Sequence, residues 1–336
     1  MMSKLLRAGL AALLLLAAAW PATVLAAGQD AIVFADASWE SIQFHNRVAG
    51  FIVEHGYGRP VDYLFGDSLP LLHGLVRGDI DAYMEVWIDN FREAAEKALA
   101  DGSIINLGSN FPDAPQGWYV PTYMIKGDPE RGIEPMMPDV RSVTDLAKYW
   151  ELFRDPENPR MGRFYNCPTG WVCSDINRAK LEAYGLDQYF TAFSPGSQAA
   201  LNATIAAAYR RGEPWFGYYW EPTWVIGQYD MTRLEEPPYS DECWATDFGC
   251  AYPASKVLIM VHAGLPEKAP EVYQFLSRYE TELVHTNRAL AYLNETQATM
   301  EEAAVWFLRE YPEVWRAWVD DEAARRVEAA LEATGS

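Results

Sequence analysis

The chain has 336 residues, half of them hydrophobic, and 47 acidic against 27 basic side chains give a formal net charge of −20. That length suffices for two domains or one large one, and the acidic balance argues against nucleic acid or an anionic membrane surface as partner. Four cysteines fall into two local pairs, Cys167/Cys173 and Cys243/Cys250; in an exported chain they predict disulfides. A zinc site is the competing reading, but the spacing is not Cys-x-x-Cys and no histidine lies close in sequence.

Lys4 and Arg7 form a short basic start, Ala8 to Trp20 an apolar run too short to span a bilayer well, and Val24-Leu25-Ala26 a small-residue cleavage site. This pattern is a secretory signal peptide, residues 1–26, and predicts a periplasmic protein. An uncleaved membrane anchor is the alternative, yet nothing after Ala26 repeats the apolar run. Removal leaves 310 residues and shifts the net charge to −22.

From there strands and helices alternate. Ala31 to Phe34 reads as a strand, Trp39 to His55 as a helix stopping at Gly56, Val61 to Phe65 as a strand, and Leu69 to Arg77 as a helix. Asp81 to Val86 is a third strand and Phe91 to Ala100 a third helix, a progression that implies a mostly parallel sheet with helices on both faces. Asp128 to Asp139 is a Pro-rich surface loop. Ser142 with Asp145 forms a capping box for a helix through Phe153. Arg163 to Tyr165 is a strand leading into the cysteine loop, and Ser174 or Asp175 caps a helix ending at Gly185. A strand at Tyr189 to Phe193, a helix at Ser197 to Arg211 and a strand at Trp215 to Tyr219 complete a second α/β unit. The tail returns to an apolar strand, Lys256 to Val261, then helices from Pro270 to Tyr279 and from Glu301 to Leu331.

A strand followed by terminal helices is a poor independent domain, so the tail is expected to complete the first unit. The chain then crosses between units twice, near Gly117 to Tyr123 and between about Leu234 and Tyr252. The expectation is a hinged clamshell: lobe I from 27–120 plus 235–336, lobe II from 121–234, and a ligand cleft lined by loops at strand carboxyl ends.

The candidate ligand residues sit at those loop stations. Trp87 follows the third strand, Trp39 lies in the first strand-to-helix turn, and Trp220 ends an aromatic strand before Glu221 and Pro222. Trp171 lies in the Cys167–Cys173 loop beside Gly170, and the N–H groups of Val172 and Cys173 near a helix N-terminus are suited to a carboxylate. Trp118 and Tyr119 lie in the first crossing. Tyr218 and Tyr219 alternate, so one of them shares a face with Trp220. Trp150, Trp306, Trp315 and Trp318 fall within helical patterns and read as packing. Asp36, Glu85 and Glu221 adjoin candidate rings, and a carboxylate near the box would favour choline. A trimethylated nitrogen carries charge but has no N–H to donate, and converging aromatic faces can hold it. The five histidines are scattered, and no Gly-x-Ser-x-Gly, His-Glu-x-x-His, P-loop or Gly-x-Gly-x-x-Gly pattern stands out, so no catalytic residue, metal site or cofactor is expected.

The run Gly78-Asp79-Ile80-Asp81 leading to Trp87, the cysteine-flanked Gly170-Trp171 loop and the Trp220-x-Pro222 motif before Trp224 resemble the substrate-binding proteins of glycine betaine/choline/proline betaine ABC transporters, the osmoprotectant-uptake family. The likeness runs over nearly the whole chain after the leader. It implies a type II periplasmic-binding-protein clamshell, an α/β fold of two mixed sheets flanked by helices and joined by two crossing segments. It further implies a box of Trp87, Trp171 and Trp220, with Trp39 or Tyr119 as an extra wall, and delivery of a quaternary ammonium compound by a monomer to a membrane permease. Choline or another methylated onium, sulfonium included, is the alternative ligand. An exported carbohydrate-active enzyme is the rival class, since tryptophans also stack on sugars and paired carboxylates can cleave glycosidic bonds.

Overall fold

A computed structural model describes residues 31–253 and 255–334. The expected leader, 1–26, lies outside the described residues. The first half builds β1 (Ile32–Asp36), α1 (Glu40–Tyr57), β2 (Val61–Phe65), α2 (Ser68–Arg77), β3 (Ala82–Trp87), α3 (Arg92–Ala100) and β4 (Ile104–Ala114). Next come β5 (Gln116–Pro121), β6 (Gly162–Tyr165), β7 (Phe190–Phe193), β8 (Gly217–Trp220), β9 (Met231–Arg233) and β10 (Ser255–His262). Two five-stranded sheets result, in the orders β2-β1-β3-β10-β4 and β7-β6-β8-β5-β9.

The two sheets follow one plan. In the first, β1 lies parallel between β2 and β3, and β10 runs antiparallel between β3 and β4. In the second, β6 lies parallel between β7 and β8, and β5 runs antiparallel between β8 and β9. Each lobe is thus a parallel βαβ core with two further strands added at one edge, each antiparallel to its neighbour. The sheets are mixed because β10 and β5 are the strands that arrive through the crossings. β5 pairs only in the second sheet, so the first changeover falls between Ala114 and Gln116, earlier than residue 120. The return runs between Arg233 and Ser255.

Local chemistry explains several element boundaries. α1 passes through the expected stop at Gly56, which packs against Val327 of the tail, and ends on Gly58 with φ 69°. That left-handed cap is nearly free for glycine and returns its N–H to the carbonyls of the last turn. The Ser142/Asp145 capping box is present, but it opens two 3₁₀ turns, Val143–Lys148 and Trp150–Phe153, in place of one α-helix. The helix after the cysteine loop spans Cys173–Ala183 and starts before Ser174, whose hydroxyl instead receives bonds from Asn166 and Arg178. β4 was not anticipated: Gly108 (φ 115°) and repeated register shifts against β10 interrupt its alternation. The tail adds an unanticipated helix, Leu283–Thr296, and breaks the expected run to Leu331 into Met300–Glu310, Pro312–Trp315 and Asp321–Ala333. These helices cover the first sheet's outer face through Phe34, Phe44, Phe307, Trp315 and Val327.

Candidate ligand site

Four tryptophans occupy equivalent stations in the two lobes. Trp39 follows β1 and Trp87 ends β3, adjacent parallel strands of the first sheet; Trp171 follows β6 and Trp220 ends β8, their counterparts in the second. All project at strand carboxyl ends, where open α/β sheets place their ligands. The structure brings them together with Ser68, Asn90, Phe91, Val172, Cys173 and Tyr218 around one small cavity of about 30 Å³. Each of the four is at most 7% exposed, so the chamber is closed over its rings.

Trp171 is the central ring. It stands edge-on to Trp39 (centroids 5.3 Å apart, 75°) and to Trp220 (5.1 Å, 77°), one partner from each lobe. Its indole N–H donates across the cleft to Ser38 Oγ at 2.8 Å. The Cys167–Cys173 disulfide brackets its loop, and the second disulfide joins Cys243 to Cys250. The zinc alternative therefore has no free thiol among the described residues. Gly170 has φ 93°, and a Cβ on it would run into the Asp67 carboxylate of the first lobe. The loop touches the opposite lobe with bare backbone. Val172 is the N-cap of the following helix and Cys173 its first residue; their N–H groups stand in the first turn, which has no intrahelical acceptors.

Other side chains hold the lobes in this closed arrangement. The Glu40 N–H donates to Gln198 Oε1 (2.7 Å) while Gln198 Nε2 donates to Glu40 Oε2 (2.9 Å). Burial pushes the Glu40 carboxyl up to about 7, against a hydrogen bond from Trp224. Trp244, inside the second disulfide loop, donates to the Asp89 carbonyl at 2.8 Å, and Arg92 reaches Asp241 at 2.9 Å.

Behind the box lies Glu85, fully buried. Its Oε2 accepts from Trp39 Nε1 (2.7 Å) and Ser41 Oγ (3.0 Å). Desolvation pushes its carboxyl up to about 7, with Trp39, Ser41 and Trp87 drawing it back. Asp36 points elsewhere, bonded to Arg47 (2.7 Å) and Asn46 (2.8 Å).

Of the residues expected at the site, Trp39, Trp87, Trp171, Trp220, Val172 and Cys173 line the cavity. Trp118, Tyr119 and Glu221 do not. Trp118 is buried in the second lobe against Phe164 (4.6 Å) and Phe216 (5.6 Å), its N–H on Asn177. Its neighbour Tyr119 takes the other side of β5, and burial pushes its hydroxyl up to about 12. Glu221 is half-buried, its N–H on the Pro115 carbonyl and its side chain bonded to Asn287. Tyr218 does line the site, stacked on Trp220 at 5.9 Å, as two-residue alternation requires. Ser68, Asn90 and Phe91 carried no distinguishing sequence signal.

The family model for the substrate binding domain of ABC-type glycine betaine transport systems matches residues 30–310. The chain belongs to that family. Among curated relatives, the trimethylamine N-oxide-binding protein of Pelagibacter ubique (strain HTCC1062) is 26% identical over 287 residues, covering 84% of this chain and 89% of that protein. Two solved structures share the fold. One is the glycine betaine, L-proline-binding protein ProX of Borrelia burgdorferi, with TM-score 0.72, 16% identity, and 88% of this chain and 99% of that one covered. The other is an ABC-transporter choline-binding protein in complex with choline, with TM-score 0.72, 20% identity, and 90% and 98% covered. Family members are extracytoplasmic substrate-binding components of ABC transporters, so the two-lobed clamshell and the aromatic cluster belong to a solute-binding protein. Among the described residues no helix is long and apolar enough to cross a membrane.

Proposed function

We propose that this protein captures a small methylated onium zwitterion, of which glycine betaine is the type, in the box of Trp39, Trp87, Trp171 and Trp220. One observation carries the reading: four tryptophans, with Phe91 and Tyr218, dominate the cavity wall, and no acidic side chain is among its described lining residues. No carboxylate on the cavity wall then meets the ligand directly, which favours a ligand that carries its own anionic or acceptor end. The first-turn N–H groups of Val172 and Cys173, with Ser68 and Asn90, suit an anionic or acceptor end. Each well-placed ring contributes about 0.5–2 kcal/mol to cation binding, so four supply several of the roughly 8 kcal/mol that micromolar affinity requires.

A second reading is trimethylamine N-oxide. In that compound acceptor oxygen and onium nitrogen are adjacent, and the Pelagibacter relative is named for it. In either case the protein works in the periplasm after loss of its leader, as a monomer, and hands the ligand to a membrane permease without chemistry of its own.

Calorimetric titration with glycine betaine, trimethylamine N-oxide, choline and the neutral choline isostere 3,3-dimethyl-1-butanol tests this. Tight binding of a zwitterion, choline about tenfold or more weaker, and no heat from the isostere are expected. Equal binding of choline and betaine would remove the zwitterion preference; binding of the isostere would remove the cationic box.

A further inference from the structure

Glu85 accepts hydrogen bonds but, among the described residues, faces no cation that explains the burial of a carboxylate. It is fully inaccessible; among the described residues its Oε1 has no hydrogen-bond partner, and the one neighbour capable of positive charge within ion-pair distance is His45 Nε2 at 3.7 Å. His45 is itself buried, which pulls its ring down to about 3 and keeps it neutral. The other groups around Glu85 are Trp39 and Ser41 where α1 begins, Tyr83 and Trp87 on β3, and Tyr279 past the tail strand. None of them is a cation. An uncompensated buried carboxylate is costly, yet this one lies a single indole behind a cavity built for a cation.

We propose that Glu85 is the concealed counter-charge of the box, a specificity-determining residue that makes the cavity prefer an onium ion over a neutral molecule of the same shape. The Trp39 N–H donates to the carboxylate while the same indole lines the cavity. Negative charge accepting the N–H at the ring's edge makes its face a better seat for a cation, and low surrounding polarity preserves the effect. The arrangement rests on the reading of the cavity as an onium site.

Its signature is linkage. Because burial pushes the carboxyl up to about 7, the counter-charge is lost as pH falls. Affinity for an onium therefore rises with pH through that region. A bound cation favours the ionised form, so binding near neutrality releases protons.

The experiment is calorimetry of the leader-free protein with glycine betaine, choline and 3,3-dimethyl-1-butanol, from about pH 5 to about pH 9, in buffers of differing ionisation heat. Onium affinity is expected to rise on the order of tenfold across that range, with fractional proton release midway. Glu85→Gln should bind as the wild type does at low pH, with a flat profile and no release. That comparison also separates Glu85 from Glu40, which remains in the variant. Ser41→Ala, by removing a donor to the ionised form, should move the midpoint upward, a readout that does not depend on the glutamine variant folding. A flat wild-type profile without proton release, or a Glu85→Gln protein that keeps both signatures, overturns the proposal while leaving the onium box intact. Failure of every onium to bind even at high pH overturns the box reading and this one with it.

Discussion

The protein contains two tryptophan clusters that share a residue type and little else. In the tail, Trp315 is buried with its N–H on the Leu308 carbonyl, Trp318 packs on Tyr279 at 4.1 Å, and Trp306 stacks on Tyr292 at 4.8 Å. These rings sit on helices, and neighbouring side chains cover their faces. In the box the rings come from loops at strand ends, and two of the N–H groups are tied to side chains of other elements: Trp171 to Ser38 and Trp39 to Glu85. An indole becomes a binding surface when its edge is fixed and its face left uncovered. A ring whose face is packed contributes to stability instead.

The largest expected effect separates these two uses. Trp171→Ala should lower affinity for glycine betaine about a hundredfold or more, with a small change in unfolding free energy, because the central ring of the box is lost. Trp315→Ala should cost about 3–5 kcal/mol of stability and leave the affinity of the folded fraction unchanged. Paired calorimetric and denaturant titrations measure both, and equal affinity losses in the two variants would erase the distinction.

Glu85 sharpens the comparison, since it supports the box at the expense of the fold. Burial raises its carboxyl from an unfolded value of 4.5 to about 7. The folded state then holds the proton more tightly, so this group's contribution is fully present below about 4.5 and is lost as pH rises to about 7. Relative to Glu85→Gln, the ligand-free wild type should lose up to about 3 kcal/mol across that window. Chemical unfolding at several pH values would detect it; a constant gap would mean the carboxyl titrates normally.

Smaller effects probe the closed arrangement. Gly170→Ala places a methyl group on a left-handed backbone and against Asp67 of the other lobe. It should cost about 1–2 kcal/mol of backbone strain and a further loss of affinity, because the clash exists only when the lobes are closed. Gly58→Ala, with φ 69° but open space around its Cβ, should show the stability loss alone. Ser38→Ala removes the acceptor for the Trp171 N–H and should weaken binding by about 1 kcal/mol, some fivefold; unchanged affinity would mean a water substitutes for the hydroxyl.

Much of this was legible in the sequence. Hydrophobic runs of strand length alternating with amphipathic segments gave two α/β units, because period and punctuation are local properties. The tryptophans after β1 and β6 and at the ends of β3 and β8 stood out for the same reason: each sits where a strand stops and the chain must turn. Trp118 illustrates the limit. It lies on a strand as Trp220 does, and β5 and β8 are both buried along their whole length, so only the packing of Phe164 and Phe216 against it determines that its ring belongs to the core. β4 escaped because Gly108 and the register shifts break its alternation, and its partner β10 lies about 150 residues away.

By itself, then, the sequence determined most of the elements, the doubled α/β plan and the aromatic residues at loop stations, since all of these follow from neighbours along the chain. Tertiary structure alone decided which rings face one another and that Trp171 stands between Trp39 and Trp220. It also decided that Glu85 lies behind the box. Those relations join residues far apart along the chain: sheet pairing within a lobe sets Glu85 behind Trp39 and Trp171 beside Trp220, and only the meeting of the two lobes sets Trp39 against Trp171.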